Sequence, residues 1–376
     1  MSETTSQADL DELRSSVRDF LTAKSGEEQV RRLMESDRGW DDAVWTQMAD
    51  QLGLQSLTLP AEHGGDGFGA VELRVVLEEM GRALLPSPFL ATVVLAATAL
   101  VASGDEAAAA AHLPAIASGK TTATLAVAED DGLWQTGRLR TTATPEGDGD
   151  GWTLDGEKAL VLDGATADVV LVVAGTDRGP TLFAVAGDDA GLTRTPLRTL
   201  DPTRRLARLT FAGVQAVPVG TVGGAAPVVD RVLDVATTAL AAEQVGAARA
   251  CLEAATGYAR ERMQFGRPIG SFQAVKHKCA DMFVRLQLAD AAATEAADAL
   301  AGVEGTPEPG VAAAVAHVVC SEAFMFVAAE NIQVHGGIGF TWEHPAHLYY
   351  RRAKSSQLLF GGPAVYHERL LARVGV

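Results

Sequence analysis

Along the first hundred residues, apolar side chains recur at three- and four-residue intervals. Leu10, Leu13, Val17, Phe20 and Leu21 fall on one helical face, and Ala70 to Leu84 and Phe89 to Ala102 continue the pattern. Pro60-Ala61-Glu62-His63-Gly64-Gly65-Asp66-Gly67 and Pro86-Ser87-Pro88 interrupt it as loops. Near Lys120 the period changes. From Thr122 to about Val219 the chain breaks into short β-branched runs, among them Thr124–Val127, Val169–Val173, Thr181–Val185 and Ala207–Phe211. Glu146-Gly147-Asp148-Gly149-Asp150-Gly151 suits a hairpin turn between two of them. Helical spacing then returns and predicts helices from Val229 to about Arg262, Ser271 to about Ala301 and Val311 to Glu330, with Gly305-Thr306-Pro307-Glu308-Pro309-Gly310 linking the last two. The expectation is an α+β chain in three parts: an N-terminal helical domain (1–119), a central β-barrel or sandwich (120–222) and a C-terminal helical domain (223–376). The Ala-rich faces of the last part suit a four-helix bundle and an oligomer interface.

At 376 residues the chain is too long for one ordinary core. A net charge of −17 argues against nucleic acid or an anionic membrane as partner. Phe89 to Ala102, read as the longest apolar run, is too short to span a bilayer, so membrane insertion is not expected. Met1-Ser2-Glu3-Thr4-Thr5 is acidic and polar, unlike a secretory signal. Cys251, Cys279 and Cys320 lie far apart in helix-like stretches; they read as buried thiols of a cytoplasmic protein, without metal spacing.

Two stretches carry candidate chemistry. In Asn331-Ile332-Gln333-Val334-His335-Gly336-Gly337-Ile338-Gly339-Phe340, three glycines in four positions leave the backbone N–H groups open to a large anion. Taken alone, a Gly-Gly pair there reads more readily as a helix C-cap and tight turn. The second stretch runs from Tyr258 to His277 and holds Arg262-Met263-Gln264-Phe265-Gly266-Arg267-Pro268-Ile269-Gly270-Ser271-Phe272-Gln273.

Together these motifs resemble the acyl-CoA dehydrogenase flavoproteins. The likeness extends to Leu52-Gly53-Leu54, Pro60 to Gly65 and Glu78-Glu79-Met80-Gly81-Arg82 in the first part, and to Gly156-Glu157-Lys158 and Asp163-Gly164 in the second. It implies FAD as cofactor, with the ring held by one subunit's β domain and the diphosphate and adenosine reaching a neighbour's C-terminal helices. The positions matching the second role are Arg262, Phe265, Gln273, Gln333, Gly336 and Gly337. A guanidinium fork, a flat apolar face, two amides and unobstructed backbone N–H groups suit it.

The resemblance also implies a carboxylate that removes the α-proton of an acyl-CoA thioester. Gly361 stands at one usual position for that Glu, and Ala236, or Thr237 with a one-residue error, at the other. Leu160 and Leu162 replace an expected Trp and hydroxyl at the flavin ring, and Ala128 to Trp134 replaces a hydroxyl-bearing loop. The pattern is similar to one subunit of a heteromer whose homologous partner supplies base and ring pocket, with acyl-CoA as substrate and an electron-transfer flavoprotein as acceptor. The alternatives are a self-sufficient homo-oligomer with a displaced acid such as Asp230, a non-enzymatic scaffold, and a flavin oxygenase on the same fold.

Overall fold

A computed structural model describes residues 5–147 and 151–376. Its helices are α1 (Gln7–Lys24), α2 (Glu27–Glu35), α3 (Asp42–Leu52), α4 (Ala70–Arg82), α5 (Thr98–Ala102) and α6 (Glu106–Ala117), followed after the strands by α7 (Ala225–Glu261), α8 (Gln273–Leu300), α9 (Pro309–His335), α10 (Ala346–Leu358) and α11 (Pro363–Val374). The strands are β1 (Ala123–Ala126), β2 (Thr142–Pro145), β3 (Trp152–Leu162), β4 (Val169–Thr176), β5 (Gly179–Ala186), β6 (Leu192–Pro196) and β7 (Leu206–Val219), with a small hairpin of β8 (Met263–Gln264) and β9 (Arg267–Pro268) between α7 and α8. The chain divides into two compact units. One comprises Leu33–Gly69 and Pro86–Ala236; the other comprises Met1–Arg32, Ala70–Leu85 and Thr237–Val376.

In the first unit the sheet order is β1-β4-β2-β3-β7-β5, and β5 also pairs with β4. The second pairing closes β4, β2, β3, β7 and β5 into a barrel, which leaves those strands without an unpaired edge. Its interior holds Leu154, Val161, Val170, Val172, Phe183, Leu209 and Val214, with the Trp152 ring 5.4 Å from that of Phe183. β2 and β3 pair antiparallel with Pro145 opposite Trp152, as the hairpin reading requires. The tip of that turn, residues 148–150, lies outside the described residues. Phe89 to Leu100 is buried apart from a half-buried Thr98, whereas Val101 is exposed, and Leu90–Ala97 winds as a π-helix before α5. The Thr92 hydroxyl ties it to β1, accepting from the Ala123 N–H (3.1 Å) and donating to the Ala123 carbonyl (3.0 Å).

In the second unit α7, α8, α9 and α10 contribute to one buried core, built largely from Ala, including Ala248, Ala289, Ala293, Ala316 and Ala328, around Met282, Leu286 and Phe324. Small side chains let the axes approach. At the α4–α7 crossing a Cβ on Gly81 would fall 1.9 Å from the Glu243 carbonyl oxygen, and one on Gly246 would fall 1.7 Å from that of Glu78. Only glycine fits at either position. α4 also buries Glu78 and Glu79, whose carboxylates accept from Arg14 (2.6 and 3.1 Å) and, at Glu79, from Arg18 as a fork (2.7 and 2.9 Å). A buried carboxylate is tolerated only when so paired.

Helix α9 runs on past Glu330 to His335, because Asn331, Val334 and His335 still point into the unit. By length and composition Pro309–Phe340 is apolar enough to cross a bilayer, a feature that the reading of Phe89–Ala102 as the longest apolar run missed; 61 % of its most apolar 18-residue window is buried. Cys251 and Cys320 are buried, whereas Cys279 is half-exposed, contrary to the expectation of three buried thiols.

Candidate functional site

The last turn of α7 closes when the Arg262 N–H donates to the Tyr258 carbonyl, and the Ile269 N–H donates to the Arg262 carbonyl, both at 2.8 Å. These bonds set the base of the β8–β9 hairpin. Its two-residue turn, Phe265-Gly266, has φ of +54° and +74°. Two positive φ values are the pattern of a type I′ turn, where Asn-Gly is the favoured pair. A bulky Phe in that conformation costs about 1–3 kcal/mol. The ring is nevertheless 91 % exposed, with an edge-on contact to Phe272 at 6.0 Å and the Arg267 guanidinium 4.1 Å over Phe272. Strain and exposure combined in one aromatic residue mark a surface kept for contact with something else.

At the end of α9, Gln333 and Gly336 to Ile338 are exposed. Gly336 has φ +65° and ψ −141°, a conformation open only to glycine. A Cβ on Gly336 or Gly337 would meet nothing within 4 Å, so the backbone there is unobstructed, although the Gly336 N–H already donates to the Ile332 and Gln333 carbonyls at the end of α9. The Tyr258 and His335 rings lie 4.5 Å apart, and Lys278 of α8 pairs with Glu330 of α9 at 2.5 Å. These contacts bring the segment beginning at Arg262, the start of α8 at Gln273 and the turn at Gly336-Gly337 to one end of the helical unit. Among the described residues, none partners the side chains of Arg262, Gln273 or Gln333. Cationic and amide donors, an unobstructed glycine backbone and a flat ring form a set that fits the diphosphate and adenosine of FAD.

The positions that would hold the base have a different character. Gly361 is buried with φ +111°, and its carbonyl accepts from His317 Nε2 at 3.0 Å. Burial pushes the His317 imidazole down to about 4, so it is neutral at pH 7, and its Nδ1 has no partner. The imidazole stacks on Tyr366 at 3.9 Å, and the Tyr366 hydroxyl meets that of Thr237 at 2.8 Å. Ala236 is fully buried, and Asp230, one and a half turns earlier on α7, is exposed. Sequence reasoning passed over His317 and Tyr366. The available signal was a single ionisable residue within the apolar run Val311 to Val319.

In the other unit Leu162 is 2 % exposed, while Leu160, at φ +54°, is 42 % exposed. Neither offers a hydroxyl or an indole N–H. The loop after β1 is organised instead by Glu129. Its carboxylate accepts from the Thr141 N–H (2.9 Å), the Arg140 N–H (2.9 and 3.0 Å) and the buried Lys158 ammonium (3.0 Å). Burial pushes the Glu129 carboxyl up, but these donors outweigh it and bring it down to about 2. Burial wins at Lys158, where it moves the amine down to about 8 despite Glu129.

The chain matches the models of the acyl-CoA dehydrogenase N-terminal domain (residues 7–120), middle domain (124–214) and C-terminal domain (224–375). It is 37 % identical to acyl-CoA dehydrogenase IpdE2 of Mycobacterium tuberculosis, over 96 % of both chains. A solved relative is the ChsE4-ChsE5 complex of Mycobacterium tuberculosis: TM-score 0.88, 31 % identity, covering 100 % of this chain and 99 % of that one. Another is a variant of the Tcur3481-Tcur3483 steroid ACAD, with TM-score 0.86 and 33 % identity over 98 % of each chain. A helical N-terminal part, a closed β barrel and a helical C-terminal part, matched over nearly the whole length, place this chain in the acyl-CoA dehydrogenase family of FAD-dependent flavoproteins.

Proposed function

We propose that this chain is one subunit of a heteromeric, FAD-dependent acyl-CoA dehydrogenase whose homologous partner supplies the catalytic carboxylate and the flavin-ring pocket. The observation that carries this reading is the chemistry at the two base positions. Gly361 presents only a carbonyl, already engaged by His317, and Thr237 presents a hydroxyl engaged by Tyr366. An imidazole held near 4 is too weak a base for an α-proton, and its free nitrogen is sealed from solvent. Asp230 is solvated, so it lacks the burial that raises a carboxylate toward working pH. Two of the similar structures are two-component assemblies, one of them a steroid ACAD, which supports a bulky acyl-CoA thioester as substrate.

FAD, when bound, supplies the acceptor for the hydride that leaves the β-carbon. The contribution of this chain is binding. Arg262 offers two parallel N–H donors to a diphosphate, and the backbone at Gly336 and Gly337, unobstructed by any Cβ, lets the same anion approach closely. Phe265 covers an aromatic face, and Gln273 and Gln333 supply amide bonds to diphosphate or adenosine. Electrons would then pass to an electron-transfer flavoprotein.

The test is to purify the chain alone and co-expressed with a homologue bearing Glu at the position matching Gly361 or Ala236. The expected result is flavin and acyl-CoA oxidation in the co-purified assembly only. A lone chain that holds one FAD per protomer and oxidises acyl-CoA would overturn the proposal.

A further inference from the structure

Tyr258, His335 and His344 form a column of rings. The Tyr258 and His335 centroids are 4.5 Å apart at 32°, and those of His335 and His344 are 4.2 Å apart at 47°. His335 is buried, and its Nδ1–H donates to the Asn331 carbonyl one turn back at 2.8 Å. His344 Nδ1 accepts the Ala346 N–H at 3.2 Å, which places the proton of the neutral ring on Nε2. The column joins the end of α7 to two segments that the chain reaches only after running the length of α8 and α9. Tyr258 lies in the turn before Arg262, His335 directly precedes Gly336, and His344 lies in the turn that enters α10.

We propose that this ring column is the joint that holds the Arg262–Gly266 hairpin and the Gly336-Gly337 turn in register for one diphosphate, and that protonation of His344 opens it. Tyr258, His335 and His344 are therefore positioning residues. The proposal rests on the reading of the six exposed residues as FAD contacts.

The surroundings set the direction of the effect. Burial pushes the His344 imidazole below its ordinary range, the His335 ring and Arg31 push the same way, and Glu27 opposes. On α10, His347 is likewise pushed down, by burial and then by Arg351 and Arg31. Arg351 also covers the Trp342 ring at 4.9 Å. The closed column thus favours neutral His344. Above the ordinary histidine value of about 6.5 both closed and open forms are neutral, and pH has no leverage. Below it the released imidazole takes up a proton before the stacked one, so falling pH favours the open form.

Hydrogen exchange of the full-length chain at pH 7.5 and 5.5, expressed as protection factors to remove intrinsic base catalysis, reads the joint without requiring bound flavin. Protection over residues 258–266 and 333–345 is expected to fall together in acid, by up to about tenfold because pH 5.5 lies one unit below the ordinary histidine value, while residues 286–299 keep theirs. His344→Phe keeps a ring beside His335 but cannot take a proton, so its protection should not change between the two pH values. His344→Ala should be less protected at both. Independent loss in the two segments, or an acid drop that persists in His344→Phe, overturns the joint. Flavin release from the assembled protein, followed by fluorescence over the same range, tests the cofactor half. A joint that opens while FAD stays bound refutes the six-residue FAD site and leaves the joint standing.

Discussion

A carboxylate can be restored at position 361 by one substitution, and the backbone there limits what it can do. Gly361 has φ +111°, and a Cβ on it would lie 3.1 Å from Val365 Cγ1 and 3.3 Å from Val365 Cβ. Holding an L residue in that conformation costs about 1–3 kcal/mol. If the peptide instead rotates to relieve the strain, its carbonyl leaves His317 Nε2. A buried donor is then orphaned on a ring whose other nitrogen already lacks a partner, at a cost of about 1–3 kcal/mol. The two routes are alternatives, so Gly361→Ala should destabilise the chain by about 1–3 kcal/mol whichever it takes. Urea titration at pH 7 measures this as a shift in midpoint at unchanged slope. Gly361→Glu should carry at least the same penalty, and the lone chain should gain no dye-linked acyl-CoA oxidation. A Gly361→Ala midpoint within about 0.5 kcal/mol of the parent, the range of an innocuous surface change, would refute the strain argument. Turnover by the lone Gly361→Glu chain would refute the half-site reading.

Three further outcomes are expected. Lys158→Met removes the buried charged partner of the Glu129 carboxylate, leaving the backbone donors and the partly exposed Arg140 guanidinium at 3.4 Å, and should destabilise the chain by about 3–5 kcal/mol in urea. Because the Glu129 carboxyl is brought from 4.5 down to about 2, its ionised form contributes on the order of 3 kcal/mol that is complete above pH 4.5 and lost as pH falls toward 2. Glu129→Gln should flatten that acid limb, and an unchanged limb counts against the assignment. Phe265→Asn supplies the side chain that a type I′ turn favours and should stabilise the chain by about 0.5–1 kcal/mol. The same change should weaken flavin retention by the assembly; a loss of stability would contradict the turn assignment.

Local pattern alone placed the long elements and the cofactor motifs. The switch of apolar period near Lys120 and again near Ala226 marks the passage into and out of the strands, because helix and strand present their faces at different intervals. Gly336-Gly337 announced itself as a turn because a glycine's freedom is a property of the residue itself, whereas the positive-φ turn at Phe265-Gly266 was not read from the sequence. The same logic shows what is missing, since a glycine at 361 cannot be a base in any fold. What local pattern could not supply were pairings through space. Thr237, His317, Gly361 and Tyr366 come together only when α9 and α11 pack beside α7, and nothing in their separate neighbourhoods foretells it. Glu129 looked like part of a lost loop until Lys158 and two backbone N–H groups were found on its carboxylate. α9 passes its predicted end because Asn331 and Val334 are buried, a fact about neighbours rather than about propensity. This sequence therefore determined which segments are helix and strand and which family motifs the chain carries. Tertiary packing decided which polar groups face one another in the dry interior, where a donor without an acceptor is costly and its partner can come from any point in the chain.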